Sequence, residues 1–545
     1  MAETPRPIDA PTASAPAPPN HAAETRDALS RNVSVQMVAK LGYLATRFLI
    51  PPFVLAHIGL EAYGVWATAF VLVSYLGVST FGISNVYIKY VAEYSAKRQH
   101  ALANGVLSAG VLITTTLSLI LFAGVYLLLP EILTWLNVSP DLSREAGEVI
   151  LIVIAVFLSS IAFSVFGDTL IGRQRIAAQQ GVWVIAYLVE TLLIFVLVGM
   201  GRGLQGLAEA YLIRTLIEIG LFLLIVLRTE PWFSLSPRNI TRESLRVILH
   251  FGGTVQVLGF LAIALHSAER LLAAVLIDVK AAGLVDIAKK LPGMAGTIPS
   301  VFAAAFVPAA SYLHGGLEND PSGRAKLAQL YLKGGRYMNL SAAFVCGFLA
   351  TLPQPILDVW LGQAYPGAVA IMVLSAISVQ INKLTGPGTS ILKGIGRPHD
   401  EFYYAVPNIL LMLILVPLTK VFIGSWELLP IVGAVLVATT VSAIIFIIRA
   451  NRLLQVSTGD YLRKVLLPGL LPYLVGLLVA LPVALLQTGL DRVELAALVI
   501  GGGVLYSACT AGLTVFLVFD HGERLWFRAM AAKYLNRLRP NQRTT

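Results

Sequence analysis

The stretch that decides the fold is VLSAGVLITTTLSLILFAGVYLLL, residues 106–129, which contains no charged side chain. A helix of roughly 20 apolar residues crosses the hydrocarbon core of a bilayer, so this run is long enough to span a membrane. Residues 493–519 form another such run, and similar ones recur along all 545 residues. The sequence therefore predicts an all-α integral membrane protein rather than a soluble domain with one anchor.

Composition supports this prediction. Of all residues, 57% are hydrophobic and 13% are charged, whereas an ordinary soluble domain carries about 25% charged residues. The net charge of +10 alone could indicate nucleic-acid binding, but the basic residues lie mostly in short loops, so no nucleic-acid partner is expected. Cys346 and Cys509 lie in apolar segments and are too few for a disulfide framework or a thiolate metal site.

Hydropathy and turn residues divide the chain into about fourteen transmembrane helices. They are predicted near 33–56, 62–91, 102–129, 148–171, 181–200, 205–227, 248–277, 282–313, 328–352, 366–392, 401–421, 427–448, 465–487 and 493–519. Cytoplasmic loops carry an excess of Lys and Arg, which sets the orientation. With the amino terminus inside, few of the 40 basic residues fall in outside loops: Arg144, Arg202, Lys280, Lys420 and Arg492. Both termini are therefore predicted to be cytoplasmic.

The two ends of the chain differ in character. Residues 1–30 are rich in Pro and Ala and are predicted to form a disordered cytoplasmic tail without a cleavable signal peptide. Residues 520–545 form a basic cytoplasmic tail, in which apolar side chains alternate with arginine and lysine. This pattern fits an interfacial helix held by anionic membrane lipids, or a merely solvated basic tail. The apolar residues concerned are Trp526, Phe527, Met530, Tyr534 and Leu538.

An internal repeat divides the helices into two sets. Residues 58–65, IGLEAYGV, align with residues 277–284, IDVKAAGL, at an offset of 219 residues, and both segments follow one long helix and open another. Helices one and seven then occupy equivalent places with the same orientation. The match predicts two parallel six-helix lobes, helices 1–6 and 7–12, plus a terminal helix pair.

The motifs Gly59-Leu-Glu-Ala-Tyr-Gly-Val-Trp66, Ile88-Lys-Tyr-Val-Ala-Glu-Tyr94 and Ala268-Glu-Arg-Leu-Leu272 resemble the polysaccharide transporter family of oligosaccharide flippases. The superfamily also contains MATE exporters and lipid II flippases, and the resemblance implies their V-shaped pair of lobes. Thr80 stands where members often carry Asp, so no role of that acid is carried over. The expected division is a tail at 1–30, an N-lobe at 31–228, a cytoplasmic linker at 229–247, a C-lobe at 248–450, helices 13 and 14 at 451–519, and the basic tail at 520–545.

Basic residues inside the spans are the candidate substrate-binding residues. A charge in the bilayer costs at least about 2.5–3.5 kcal/mol, so each one should face the bundle interior or water. The candidates for a cationic cavity are Lys40, Arg47, Arg270, Lys289, Lys290 and Lys383. Lys40 and Arg47 share one helical stripe that has no acid; Lys40 could instead snorkel to the cytoplasmic surface. Arg214 and Glu218 are four residues apart and are predicted to pair structurally.

Acids and a histidine in the spans are candidates for coupling or gating. Glu269 and Arg270 point about 100° apart on one helix, so each needs a partner elsewhere; Glu269 is either a proton-coupled carboxylate or part of an ion pair. His266 aligns with Arg47 at the repeat offset and could titrate or be a packed core histidine. Asp286 can pair with Lys289 or Lys290, which would leave one lysine uncompensated. Asp168 is expected near Arg173 and Arg175, as a gate or as a fixed pair.

No Gly-x-x-x-x-Gly-Lys phosphate-binding loop and no zinc-binding His-Glu-x-x-His helix occurs, so neither an enzyme nor a metal or other cofactor is predicted. The cationic interior and the resemblance together predict a flippase for an undecaprenyl-diphosphate-linked oligosaccharide in a bacterial inner membrane, working by alternating access. A polysaccharide polymerase and a chain-length regulator would be further partners. The alternatives are a MATE-type drug exporter, a lipid II flippase and a non-transporting scaffold of a polysaccharide assembly complex.

Overall fold

A computed structural model of the chain describes residues 21–77, 82–250, 253–316 and 322–525, and residue 529. These residues form helices and connecting turns, and no strand occurs among them. The first part contains eight helices: α1 (His21–Gly77), α2 (Ile83–Ala96), α3 (His100–Leu127), α4 (Leu129–Trp135), α5 (Pro140–Ala162), α6 (Ser164–Gly172), α7 (Ile176–Gly199) and α8 (Gly203–Thr229).

A linker with a short 3-10 turn at Pro237–Asn239 and helix α9 (Arg242–His250) leads to the second part. This part contains α10 (Gly253–Leu276), α11 (Val279–Ala295), α12 (Thr297–Gly315), α13 (Gly323–Thr351), α14 (Pro353–Leu361), α15 (Ala368–Gly394), α16 (Phe402–Ile423) and α17 (Leu428–Leu453). The chain continues with α18 (Thr458–Tyr461), α19 (Leu471–Leu486) and α20 (Arg492–Leu513).

The first helix begins earlier than the sequence suggested. α1 starts at His21, inside the segment 1–30 that was expected to be disordered. The last proline of the amino-terminal tail is Pro19, and residues 21–30, HAAETRDALS, are rich in residues that favour a helix. The helical run is therefore continuous from residue 21 into the first span, and residues 1–20 lie outside the described part of the chain.

Eleven helices among the described residues are long and apolar enough to cross a membrane, or twelve if α13 and α14, which meet at a bend of 80°, form one span. The expected count of fourteen is not confirmed by this measure. The difference has two sources. α1 is counted once, although Gly59 breaks its helical geometry with a φ of 76°. In addition, α11 is not counted, since it has only 17 residues and carries Asp286, Lys289 and Lys290.

We refer to α1–α8 as the N-lobe and to α10–α17 as the C-lobe, following the sequence-based division, which remains a prediction. α1 packs against α5, α7 and α8 of its own lobe, and α15 packs against α11, α12, α13 and α17. α19 packs on α13, while α20 packs on α14 and α19, so the terminal pair lies against one side of the C-lobe.

The lobes meet mainly where α1 packs against α10 and α11. The two equivalent glycines of the repeat lie at the centre of this contact. A Cβ built on Gly64 would lie 1.9 Å from the carbonyl oxygen of Val279, and one built on Gly283 would lie 2.9 Å from the Cα of Gly64. Only glycine permits this approach of two backbones.

The bundle has two distinct ends. The basic end carries Arg98, Arg173, Arg175 and the linker, and the opposite end carries the turns at Gly59 and Asp278. The contacts between the lobes lie in the half of the bundle that is nearer to the opposite end. In the half nearer the basic end, α2 packs on α3 and α6, and α12 packs on α11, α13 and α15, so each of these helices contacts its own lobe.

Candidate functional site

The N-lobe holds Arg47 in an ion pair. Its Nη2 donates to Glu190 Oε2 at 3.0 Å, and its guanidinium lies 5.1 Å and 5.2 Å from the ring centroids of Tyr43 and Tyr187. Glu190, on α7, is buried. A buried carboxylate needs a cationic partner, which Arg47 supplies from α1. Arg47 therefore does not contribute a net positive charge in this conformation.

A second cation completes this N-lobe group. Arg214 lies 3.3 Å from Glu218, as the four-residue spacing predicted, and its guanidinium lies 4.7 Å from the centroid of Tyr187. Tyr187 thus has an arginine within cation–π distance on both α1 and α8. With two arginines and two glutamates, the group is electrically balanced.

The C-lobe gathers its charges at the contact with the N-lobe. Arg270 on α10 bonds Asp286 Oδ1 at 2.8 Å, and Lys290 bonds Asp286 Oδ2 at 3.2 Å. Lys289 bonds Glu269 at 2.6 Å. As the sequence indicated, Glu269 and Arg270 find their partners on another helix. The expectation that one lysine of α11 would lack an acid was wrong, because successive residues of a helix point in different directions and Lys289 reaches α10.

These C-lobe cations are partly accessible despite their pairing. The side chains of Arg270, Lys289 and Lys290 keep 19%, 22% and 29% of their surface exposed, whereas the carboxylates of Glu269 and Asp286 keep 4% and 8%. The acids are therefore packed behind the cations, and the accessible surface of the cluster is positive.

Tyr63 connects the two lobes at this cluster. Its hydroxyl, on the second half of α1, donates to Asp286 Oδ2 at 2.7 Å. Asp286 therefore accepts from Arg270 and Lys290 of the C-lobe and from a tyrosine of the N-lobe. Three further interlobe hydrogen bonds join Trp360 to the carbonyl of Phe48, Asn137 to that of Val275 and Tyr75 to that of Ala264.

Lys383 and His266 lie nearby. Lys383, on α15, donates to the hydroxyl of Ser300 at 3.1 Å, and no acid pairs with it among the described residues. His266 is exposed and lies within electrostatic range of Lys289, Arg270, Glu269 and Lys383. With Arg270, Lys289 and Lys290, Lys383 makes four basic side chains against two carboxylates, a net charge of +2 on this side of the interface.

Asp168 does not have the partners that the sequence suggested. Arg173 and Arg175 instead bond Glu230 at 2.9 Å and 3.1 Å, and the indole of Trp232 donates to the same carboxylate at 2.8 Å. Glu230 is buried at the start of the linker. It is nearer to both arginines because they follow the end of α6, whereas Asp168 lies a turn inside that helix.

Some predicted residues cannot be placed. The side chain of Lys40 and residues 78–81, including Thr80, lie outside the described part of the chain, as do residues 526–528 and 530–545 of the basic tail. No group of three His, Cys, Asp or Glu side chains that could hold a metal ion occurs among the residues that the structure describes.

Sequence reasoning did not assign roles to Tyr63, Glu190 or Glu230. Glu190 was visible as an acid within a span, and a search for the partner of Arg47 could have selected it. Tyr63 lies in the motif that carries the family resemblance, but nothing in its sequence context indicates a partner 223 residues away.

Comparisons with known proteins agree with this architecture. No family model matches the chain. The sequence is 24% identical over 355 residues to EpsK, an uncharacterised membrane protein of Bacillus subtilis strain 168, covering 63% of this chain and 68% of that protein.

The structure is similar to that of the lipid II flippase MurJ in an inward closed conformation, with a TM-score of 0.63, 13% identity and coverage of 89% of this chain and 100% of that one. It is also similar to an inward-facing multidrug resistance MATE family transporter of the MOP superfamily, with a TM-score of 0.56, 15% identity and coverage of 78% and 97%. The fold is therefore that of these transporters, as the resemblance implied.

Proposed function

We propose that this protein is a flippase that moves an undecaprenyl-diphosphate-linked oligosaccharide from the inner to the outer leaflet of a bacterial inner membrane by alternating access of its two lobes. The observation that carries this proposal is the charge imbalance at the lobe interface. The N-lobe group around Arg47 is neutral, whereas the C-lobe presents Arg270, Lys289, Lys290 and Lys383 against two carboxylates.

An excess of arginine and lysine suits a phosphorylated head group. Arginine binds phosphate oxygens in a bidentate manner, and lysine acts as a compact point charge. Burying a diphosphate in a bilayer without such partners would cost many kcal/mol, because its hydration would be lost. The partly exposed cations at the interface would replace that hydration, while the lipid tail stays in the bilayer between the lobes.

The packing of the lobes supports entry from the basic end. Contacts between lobes lie in the half nearer the opposite end, through Gly64, Gly283 and the Tyr63–Asp286 hydrogen bond. The basic end is cytoplasmic by the positive-inside rule, with both termini on that side. A head group would enter from the cytoplasm, bind the C-lobe cations and leave outward once the lobes separate at Gly64.

The membrane potential would assist this direction. Moving one negative charge outward across a membrane that is negative inside gains about 2.3 kcal/mol per 100 mV. A diphosphate with two charges gains about twice that. This gain favours export as long as the protein returns without carrying the charge back.

Lys383→Gln tests the proposal most cleanly, because the variant removes one positive charge without leaving an acid unpaired. The purified full chain is reconstituted in liposomes with an undecaprenyl-diphosphate oligosaccharide that carries a fluorophore on its sugar, and a membrane-impermeant reductant bleaches the outer leaflet. We expect the wild type to expose nearly all the probe. We expect the flipping rate to fall roughly tenfold to a hundredfold in Lys383→Gln, since a hydrogen bond to a charged group contributes about 1.5–3 kcal/mol.

Lys420→Gln is the matched control. Lys420 lies near the opposite end of the bundle, over the ring of Trp426, and forms no ion pair with a described residue. Equal rates in the wild type and both variants would contradict the cationic site. If the wild type does not flip the probe, the protein would be a non-transporting scaffold. Transport of organic cations would instead favour a MATE-type exporter, and faster flipping of lipid II than of the probe would favour a lipid II flippase. A polymerase and a chain-length regulator remain proposed partners.

A further inference from the structure

Asp168 is a buried acid that the proposed transport cycle does not use. It lies on α6 with 8% of its surface exposed, and it makes no ion pair among the residues that the structure describes. One of its carboxylate oxygens has no hydrogen-bond partner, and the hydroxyls of Ser84 and Ser164 are its polar neighbours. The hydroxyl of Tyr87, on the facing helix α2, is also buried without a partner.

The charged groups on the helices around Asp168 are engaged elsewhere. α6 packs on α2, α5, α7 and α8. On α2, Tyr87 is the titratable group near the carboxyl, while Lys89 lies over the ring of Tyr90 and Glu93 pairs with Lys97. The charged residues of α5 lie in its first turns at the opposite end. Glu190 of α7 pairs with Arg47, Arg214 and Glu218 of α8 pair with each other, and Arg228 is exposed in the last turn of α8.

The two arginines that follow α6 do not compensate Asp168 either, because both bind Glu230. A carboxylate without a cation is strongly disfavoured in a low-dielectric interior, and the cheapest way to remove its charge is to bind a proton. A proton on the carboxyl would also give it a donor beside the serine hydroxyls. A divalent metal would need more acidic or histidine ligands than the lone carboxylate offers.

The position of Asp168 allows exchange with solution at the basic end. It precedes the end of α6 at Gly172 by four residues, about 6 Å of helix. α2 covers this path closely, since a Cβ on Gly172 would lie 2.9 Å from Val91 and 3.0 Å from the carbonyl oxygen of Ile88. A small separation of α2 from α6 would admit water to the carboxyl.

We infer that Asp168 is a proton-binding site of the N-lobe, occupied in this conformation and exchanging with the solution at the basic end when α2 moves away from α6. This inference goes beyond the proposed flippase function and holds whatever the cargo is. It would allow a pH gradient to bias the conformation of the N-lobe independently of the membrane potential.

Infrared spectroscopy of the full chain in liposomes tests the site without any transport assay. Aspartate labelled with carbon-13 at its side-chain carboxyl identifies the carbonyl band of a protonated aspartic acid. We expect that band at neutral pH in the wild type, its loss in Asp168→Asn, and its retention in Asp141→Asn, the control at an exposed position in the first turn of α5.

The wild type alone can overturn the inference. No protonated aspartic acid band at neutral pH would show that the carboxyl is ionised, even if Asp168→Asn failed to fold. A band that persists in Asp168→Asn would assign the proton to another aspartate. Wild-type protein that lacks the band but gains thermal stability from sodium ions, unlike Asp168→Asn, would show that a metal cation occupies the site instead.

Discussion

Gly64→Ala should open the half of the lobe interface that is closed in this structure. The added Cβ would lie 1.9 Å from the carbonyl oxygen of Val279 and 2.7 Å from its carbonyl carbon. Both are backbone atoms, so no side chain can move aside to relieve the contact. The second half of α1 must therefore separate from α11, which begins at Val279.

The size of the effect follows from this geometry. An acceptable carbon–oxygen contact is about 3.3 Å, so the backbones must move apart by about 1.4 Å. A movement of this size breaks the 2.7 Å hydrogen bond from Tyr63 to Asp286. A hydrogen bond to a charged group contributes about 1.5–3 kcal/mol, so the closed conformation should lose roughly tenfold to a hundredfold in population.

Gly283→Ala provides a graded comparison. Its Cβ would lie 2.9 Å from the Cα of Gly64 and from the carbonyl oxygen of Leu60. This contact needs a displacement of only a few tenths of an ångström, so we expect a smaller shift in the same direction. Gly220→Ala is the control, because a Cβ on that helical glycine would meet nothing within 4 Å.

Pulsed electron paramagnetic resonance between spin labels measures the two conformations. In a background with Cys509 replaced by serine, one label pair at Glu131 and Gln363 reports on the opposite end, and a pair at Gln99 and Thr458 reports on the basic end. Gly64→Ala should populate longer distances at the opposite end and shorter ones at the basic end. Unchanged distributions in Gly64→Ala, or equal changes in Gly220→Ala, would refute the assignment of this contact as the closure between lobes.

Three further predictions concern an ion pair within the N-lobe, the buried acid at the start of the linker, and a polar contact between the C-lobe and the terminal helices. Arg47→Met should lower stability by about 3–5 kcal/mol because it leaves Glu190 buried and charged, and adding Glu190→Gln should restore most of it, measured as the temperature at which the detergent-solubilised protein aggregates. Glu230→Gln should make the linker at 229–247 more sensitive to protease, whereas Glu243→Gln, at an exposed position, should not. Asn339→Ala should destabilise the packing of the terminal helices by about 1–3 kcal/mol, because it removes the buried hydrogen bond from the Asn339 side chain to the backbone carbonyl of Val465, just before α19. The measurement is the temperature of thermal unfolding, which should fall.

Much of the architecture was predictable from the sequence because the bilayer imposes simple rules. Length and hydropathy located most helices, and the repeat at residues 58–65 and 277–284 indicated two equivalent halves. The predicted helix at 282–313 corresponds to α11 and α12 in the structure, which meet at Gly296. The start of α1 at His21 shows a different limit. The predicted disordered tail was drawn to residue 30, although its proline-rich part ends at Pro19.

The candidate site was predictable as a set of residues but not as a set of contacts. Spacing on one helix identified the Arg214–Glu218 pair and the possible pairs of Asp286. Pairs between helices, such as Arg47–Glu190 and Lys289–Glu269, depend on helix rotation and on which helices are neighbours. A single sequence does not contain that information, so Arg47 was predicted as a cavity residue on a stripe without an acid, and Glu190 was not identified as its partner.

The repeat shows how the two sides of the lobe interface differ in charge among the described residues. At the offset of 219 residues the equivalent glycines, Gly64 and Gly283, are retained, and they meet where the lobes touch. The residues equivalent to Asp286, Lys289 and Lys290 are Ala67, Phe70 and Val71, which are apolar. The backbone contact therefore kept its symmetry while the side chains on the two sides of the interface diverged. Under the proposed function, a head group bound there would be held by the cations of the C-lobe. For that reason a substitution such as Lys383→Gln should affect cargo binding, whereas a substitution at the glycines should affect the equilibrium between conformations.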